Sequence, residues 1–520
     1  MWKPREFTEN KTVKANILVF DVGSTYTKGA AFRLEGQSLT FLGRGQSPTT
    51  LEDVTIGTGK AQAAIAAQGV SFAPDTRFYS TCSAAGGLRM VALGYMPRVT
   101  AKAAKEVAMT AGARVMEVVS FEEPPEYREE VLLEIRPDII LLAGGTDGGD
   151  RENAVENARI IARIKSRAMV IVACNKDAQA QVAEIFDAGG IQYVRVPNIM
   201  PTIHQLNVKS AREAIHAQFI RQITKAKGLD KLQAGLADKS VMPTPGAVLL
   251  ASELLARGTH EQEGVGGLML VDIGGATTDI HSALPELEEL ALEERGLVIN
   301  NEKHFSYRTV EGNLGMRVSA TGIPEAVGPL SIIRTAALLA GDKAAAAKAL
   351  AAGADPAAAA GRADAEPIPF EPPMEPEEVE AYTRECEKHT DHIAGDERER
   401  LIDEALASSA VAVALRRHAG HLSTEADPVM GVAAGTAIGR DLRLVRPVLA
   451  VGGVFTYMEP AVRQAILARA FANPGISLLP TRPEFYFDTD YNLYAMGVLS
   501  QHFPDAVLTY LKNKFEIRGA

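Results

Sequence analysis

The sequence predicts an α/β protein in which two related lobes face one another, with a further α/β subdomain added to them. Three observations predict this. First, a hairpin with an aspartate at its tip occurs twice, in "VFDVGSTYTKGAAF" (19–32) and "LVDIGGATTDIHSA" (270–283). In each, an apolar run ends in Asp, turns through glycine and hydroxyl residues, and returns apolar. Second, another buried run, "RPVLAVGGVF" (446–455), ends in Gly-Gly. Third, between 88 and 197 short β-rich runs alternate with helical stretches, the pattern of parallel βαβ units.

Taken in order, "NILVFDVGS" is a buried strand, and "GAAFRL" and "SLTFLGRGQS" continue it as a meander. "LEDVTIGTGKAQAAIAAQG" has helical apolar spacing, and "DTRFYSTCSAAGG" is a strand followed by a glycine loop. The alternating region then predicts a helix at 100–111, strands in "RVMEVVS" and "PDIILLAGG", and a helix at 153–165. It continues with "AMVIVACN", a helix at 179–188 and "IQYVRVP". A helix-rich stretch (203–236) leads to "VMPTPGAVLLASELLA" and the second hairpin. The alanine-dominated 336–367, broken by Gly and Pro, predicts a helix running into a mobile surface insertion or linker. A long helix at 397–418 precedes the Gly-Gly strand, and "ISLLP" (strand) and "NLYAMGVLSQHF" (helix) complete the last unit. The implied divisions are 1–85 and 201–265 for the first lobe and 86–200 for the added subdomain. For the second lobe they are 266–335 and 401–520, with 336–400 as an insertion.

At 520 residues the chain is too long for one core. A net charge of −11 argues against a nucleic-acid binder, which needs clustered Lys and Arg. Three scattered cysteines, Cys82, Cys174 and Cys386, contain no CxxC pair and fit a reducing, cytoplasmic setting. The polar start "MWKPREFTENKTVK" lacks the apolar core of a signal peptide, and no apolar run approaches the roughly 20 residues that span a bilayer, so no membrane is expected.

The hairpins carry the chemistry. Asp21 ends a buried strand, Gly23 permits a tight turn, and Ser24, Thr25 and Thr27 offer hydroxyls and backbone N–H groups. Lys28 adds a point charge suited to a β- or γ-phosphate. Asp272, followed by Gly274, Gly275, Ala276, Thr277 and Thr278, repeats the arrangement. Two facing turns would clamp a polyphosphate from both sides. The paired aspartates would hold Mg²⁺ through waters and orient a nucleophilic water. Gly452 and Gly453 would let backbone approach a flat adenosine closely.

The three motifs resemble the phosphate-1, phosphate-2 and adenosine motifs of the actin, sugar-kinase and heat-shock-chaperone ATPase superfamily. The resemblance implies two actin-like, ribonuclease-H-like ATPase lobes around a nucleotide cleft. By it, Asp21 and Asp272 are the catalytic, magnesium-holding carboxylates. Gly23, Ser24, Thr25, Thr27, Lys28, Gly274, Gly275, Thr277, Thr278, Gly452 and Gly453 bind ATP. Ala276 departs from it, standing where many members have a third glycine. "STCSAAGGLRMVALG", "DIILLAGGTDGGDRENAVENA", "VPNIMPTIHQLNV", "VMPTPGAVLLASELLA" and "TVEGNLGMR", with the second hairpin, are similar to a narrower family. This is the GlmL/MutL family, accessory proteins encoded beside adenosylcobalamin-dependent mutases such as glutamate mutase, and unrelated to the mismatch-repair ATPase that shares the name. The likeness runs from about 16 to 503 and is weakest over 341–380. It implies an ATP-hydrolysing reactivase or chaperone that clears damaged cobalamin from a partner mutase. The client would be a carbon-skeleton mutase or an aminomutase, and a homo-oligomer is compatible with this reading.

Other features have a functional and a plainer reading. Asp147 and Asp150 in "LLAGGTDGGD" could bind a cation or a partner, or close a strand-to-helix loop with Asp150 at an N-cap. His204 between two prolines fits a rigid connector better than a ligand, and Glu311 and Arg317 fit either the cleft or loop packing. "RRHAGHL" (416–422) suits a basic helix C-terminus better than a metal site, and Cys82 suits packing better than reactivity. No GxxxxGK[ST] loop and no DxHxxG cobalamin segment occurs. The alternatives are a small-molecule kinase of the same superfold, an iron–sulfur activator, and a nucleotide-dependent scaffold that hydrolyses nothing.

Overall fold

Strand β1 (Val13–Val22) is apolar on both faces because both are covered. Ile17 and Val19 enter one core, and Leu18, Phe20 and Val22 enter another. The computed structural model in which this is seen describes residues 13–517 apart from 24–25, 51, 83–87, 95–112, 203–206, 208–209, 212, 216, 219–227, 285–297, 300–305, 362–365 and 426–432. β2 (Tyr26–Glu35) and β3 (Ser38–Pro48) complete an antiparallel meander. The helix Val54–Ala66 follows, capped by Asp53, which accepts the Thr55 amide at 2.9 Å. It leads into β4 (Val70–Cys82), parallel to β1. β5 (Leu88–Gly94), β6 (Ala113–Ser120), β7 (Ile139–Leu142), β8 (Met169–Val172) and β9 (Tyr193–Arg195) form a separate all-parallel sheet in the order β6-β5-β7-β8-β9. β10 (Val241–Pro243) then rejoins the first sheet beside β4, giving the order β10-β4-β1-β2-β3.

β11 (Leu268–Ile273) and β12 (Thr278–Ala283) form the second hairpin. β13 (Val298–Ile299), β14 (Ser306–Glu311), β15 (His421–Leu422), β16 (Ala437–Ile438), β17 (Pro447–Val451) and β18 (Glu484–Phe487) follow. The sheet built on this hairpin has the order β14-β12-β11-β17-β18, while β13, β16 and β15 make a small three-stranded sheet. In the two sheets that carry the hairpins, the hairpin continues antiparallel on one side, and two parallel strands extend it on the other. One topology is therefore built twice.

The helices Thr244–Arg257, Leu493–Ser500 and Pro504–Phe515 lie between the two sheets. Ile17, Val19, Ala30 and Phe32 of the first sheet share one core with these helices and with Leu268, Leu270, Leu449 and Val451 of the second. The first two helices cross almost backbone to backbone, since a Cβ on Gly497 would lie 1.7 Å from the carbonyl oxygen of Ala247.

The alanine-rich stretch differs from expectation. Pro329–Ala351 is one continuous helix whose Ala336, Leu339 and Ala346 are buried, two of them in the core beneath the helices Glu397–His418 and Pro460–Phe471. Asp342 on its inner face accepts both donors of the Arg469 guanidinium at 2.9 and 2.8 Å. Small side chains here are a close-packed helix interface and not a linker. The last strand also differs: it is "EFYF" (484–487), parallel to β17, and in the run "ISLLP" Leu478, Leu479 and Pro480 are buried while Ile476 is exposed, none of them in a strand of that sheet. The predicted helix at 100–111 and His204 lie outside the described residues.

A candidate nucleotide site between two matched hairpins

The hairpins superpose in register. Asp21 pairs with Lys28 and Val22 with Thr27, while Asp272 pairs with Asp279 and Ile273 with Thr278. Each turn is closed by the same bond, Gly23 N–H to Tyr26 carbonyl at 3.0 Å and Gly274 N–H to Thr277 carbonyl at 2.9 Å. Each tip is braced by a hydroxyl: Thr49 donates to the Gly23 carbonyl at 2.9 Å, and Ser319 to that of Ala276 at 2.8 Å. Side chains alternate along a strand. Asp21 therefore projects from the face that carries Ile17 and Val19, and Asp272 from the face that carries Leu268 and Leu270. Those two faces look at one another across the shared helices.

The two carboxylates are treated differently. Asp21 is buried, and its Oδ1 accepts the hydroxyls of Thr81 at 2.9 Å and Thr244 at 2.6 Å. Thr244 opens a 14-residue helix, whose N-terminal end favours the negative charge. Lys28 donates to the other oxygen at 3.2 Å and to Tyr491 Oη at 2.9 Å. Burial alone would lower the Lys28 ammonium, but Tyr491 and Asp21 together carry it above the ordinary lysine range. Tyr491 adopts a left-handed φ of 52°, uncommon for a bulky residue, to place that hydroxyl.

No described side chain donates to Asp272. Burial, then the neighbouring Asp279, and to a lesser extent Asp21, push its carboxyl up to about 7 against the opposing pull of Lys28 and Arg308. Asp279 is itself held by Arg308, whose Nε and Nη2 lie 3.0 and 2.5 Å from its Oδ1, and by the Thr277 hydroxyl at 2.8 Å. Arg308→Met leaves Asp279 buried without its cation and is expected to destabilise the protein by about 3–5 kcal/mol. Urea unfolding at neutral pH reads this, and Asp279→Asn in the same chain should recover a large part of the loss.

A second layer stiffens the tip of the second hairpin. The amides of Arg317 and Val318 both donate to the Gly275 carbonyl, at 2.8 and 2.7 Å. A Cβ on Gly315 would collide with the backbone of Ala276 at 2.3 Å. Arg317 is locked in turn by a two-point ion pair to Asp403, at 3.0 and 2.8 Å.

The remaining sequence candidates separate by environment. Thr27 and Thr278, equivalent in register, are both fully buried. The first hydroxyl lies 3.1 Å from that of Thr49, and the second donates to the Leu314 carbonyl at 2.6 Å. Ser24 and Thr25 lie outside the described residues. Gly452 has φ 114°, and a Cβ there would lie 2.2 Å from the Ile273 carbonyl, so its glycine answers to the second hairpin. A Cβ on Gly453 would find only Tyr457 at 4.0 Å, so this residue faces open space. Glu311 is buried against Arg417. His418 sits between the hydroxyls of Ser282 (2.7 Å) and Thr309 (2.9 Å), and burial holds it well below the usual histidine range. Asp150, one residue before the N-cap Arg151 of the helix Glu152–Arg163, accepts the Asn153 amide at 3.2 Å, and Asp147 is tied to Asn198 at 2.9 Å. Cys82, Cys174 and Cys386 are buried in three different cores. Thr81, Thr244, Tyr491, Asp279 and Arg308 are the site residues that motif reading missed. Only "DTDYN" and the Asp that closes "DIGGATTD" gave any local signal for them.

Two carboxylates, the Gly275 amide at the second glycine turn and one lysine fit a magnesium–polyphosphate pair. Mg²⁺ commonly takes one or two carboxylates and keeps several waters and phosphate oxygens, so a protein cage is not required. Among the described residues there is no group of three or more His, Cys, Asp or Glu that could form one. Among them, too, no helix is long and apolar enough to cross a membrane.

Comparison with known proteins places this geometry in context. The family model described as MutL protein matches residues 17–515. Protein MutL of Clostridium tetanomorphum is 37% identical over 502 residues, covering 95% of this chain and 98% of that protein. Among solved structures, a diol dehydratase-reactivating factor in nucleotide-free form aligns over 94% of this chain and 99% of its own, with 12% identity and a TM-score of 0.32. The Aquifex aeolicus Ppx/GppA phosphatase aligns over 85% and 68%, with 8% identity and a TM-score of 0.19.

Proposed function

Because the chain belongs to the MutL family of glutamate mutase accessory proteins, we propose that it is an ATP-binding, ATP-hydrolysing reactivase. Its client is an adenosylcobalamin-dependent mutase, from which it promotes release of damaged cobalamin. The observation that carries the ATPase part is the pair of register-matched hairpins whose Asp21 and Asp272 project from facing sheets, with Lys28 beside Asp21. Asp21 and Asp272 would hold Mg²⁺ through waters, and the ion would supply positive charge to the phosphates. Lys28 and the Gly275 amide bind the polyphosphate at turns whose Gly23 and Gly274 amides hold the loops closed, and Gly453 leaves room for the adenosine. Asp272, with no described donor of its own, orients the attacking water.

Closure of two lobes about crossed helices is a bistable motion, and a partner that binds one state better is driven by it. The separation of Cys82, Cys174 and Cys386 into three cores disfavours the iron–sulfur activator reading. The test is reactivation of glutamate mutase inactivated by turnover, with added adenosylcobalamin. Activity should return with the protein and ATP–Mg²⁺, and not with a non-hydrolysable ATP analogue. Equal recovery with the analogue would remove hydrolysis from the reading.

A further inference from the structure

We propose that the outer face of the parallel-sheet subdomain is a twofold contact between two copies of this chain. In it the helix Pro125–Ile135 of each copy lies in a basic groove of the other. The groove, of about 640 Å³, runs along the amino ends of β7, β8 and β9 and carries Arg136, Lys165 and Arg167. Beside it, Glu126, Glu130 and Glu134 stand four residues apart on the helix and so share one of its faces. All six charged side chains are exposed, and none has an ion pair within the chain among the described residues. Their charged neighbours are already matched, Glu129 with Arg163 and Asp138 with Arg89.

Backbone conformation shows that these cations are placed for more than solubility. Arg136 and Lys165 both take left-handed backbone, at φ 47° and 51°, each just past the end of a helix. Glycine is the usual residue there, because a side chain is strained in that conformation. A cation that only offset the helix dipole could stand anywhere in the last turn. The strained positions put the charge on the groove. Leu133, 51% exposed, borders both the acidic face and the groove. Charge then selects the occupant. An acidic partner, nucleic acid included, suits the groove and is repelled by the adjoining helix, and a basic partner meets the reverse. A fitting surface carries acids and cations side by side in the opposite order. A second copy, turned through a twofold axis at Leu133, presents that surface. Each acidic stripe lies in the opposite groove, and the two Leu133 side chains meet at the centre, sheltered by a ring of paired charge.

Sedimentation of the full-length protein over a range of concentrations tests the assignment, because two charge reversals that each break the contact should mend one another. Glu130→Arg with Glu134→Arg makes the stripe basic, and Arg136→Glu with Arg167→Glu makes the groove acidic. The wild type should dimerise, more weakly as salt rises. Each double variant alone should lose about 100-fold or more in dimer affinity, since like charges then face one another on both sides of the axis. An equimolar mixture of the two should dimerise again, each stripe meeting a groove of opposite sign. A purely structural role for these residues gives no such rescue. Leu133→Asp, a change at an exposed position that keeps the fold, should weaken the dimer by about 10-fold. ATP turnover should be unchanged in every variant, so the outcome is separate from the reactivase reading. A wild type that stays monomeric, or variants that dimerise as it does, would overturn the assignment. Folded, monomeric double variants that fail to associate when mixed would overturn the twofold pairing.

Discussion

Asp272→Asn should lower ATP turnover by about 10²–10³-fold while leaving the secondary structure unchanged, the scale of removing one preorganised charge from a transition-state site. Asp21→Ala should be at least as severe, for a different reason. Asp21 gathers Thr81, Thr244 and Lys28, so its loss frees three donors that were aimed at one carboxylate. The two variants separate in nucleotide-free stability. The Asp272 carboxyl is raised to about 7, so between its ordinary value near 4 and 7 the folded state binds more protons than the unfolded one. Stability from this group is therefore present at low pH and lost as pH rises through that window, opposite to a salt-bridged carboxylate. Asp272→Asn removes the burden of ionising there. Its melting temperature should exceed that of the wild type by about 2–4 °C at pH 8, and the excess should shrink through pH 5 and vanish below about pH 4. A melting temperature below the wild type at pH 8 would show that Asp272 is held as an anion by its surroundings. Unimpaired phosphate release by both variants would remove the hairpins from catalysis.

How much of this could be read from the chain depends on the range of each interaction. The hairpins, the helix at 397–418 and the alternating units of the parallel sheet were legible because strand and helix periodicities are local. So was the equivalence of Asp21 and Asp272, since an acid followed by a glycine turn is a sequence-adjacent pattern. The partners that distinguish the two acids were not. Thr244 meets Asp21 across 223 positions, and Lys28 meets Tyr491 across 463. Thr27 and Thr278 looked like phosphate ligands because hydroxyls beside a glycine turn usually are. Strand alternation turns both to the far face, where they tie the turn to its own lobe. Gly452 was read as making space for a ligand, yet it makes space for Ile273. The alanine-rich helix shows the same limit: small residues mark close packing as readily as a linker, and composition does not say which.

The crossing of the helices Thr244–Arg257 and Leu493–Ser500 gives the largest expected effect away from the hairpins. A methyl group on Gly497 would sit 1.7 Å from the Ala247 carbonyl oxygen, a backbone atom that no rotamer change can move. Gly497→Ala must therefore separate the helices, opening the core that joins the two sheets. That should destabilise the protein by about 3 kcal/mol or more and lower its melting temperature by about 5 °C or more. Gly235→Ala is the internal control, because a Cβ there meets nothing within 4 Å and the helix Leu229–Gly235 gains propensity from it. The same substitution should thus act with opposite sign at two helical glycines. The crossing also bears on the site. Thr244, one turn before Ala247, donates to Asp21, so displacing the helix draws that hydroxyl off the carboxylate. Nucleotide affinity should fall together with stability in Gly497→Ala and remain unchanged in Gly235→Ala. If Gly497→Ala melts with the wild type, the helices slide freely at their crossing. The two sheets would then be joined by a compliant seam, and closure could not be transmitted through it.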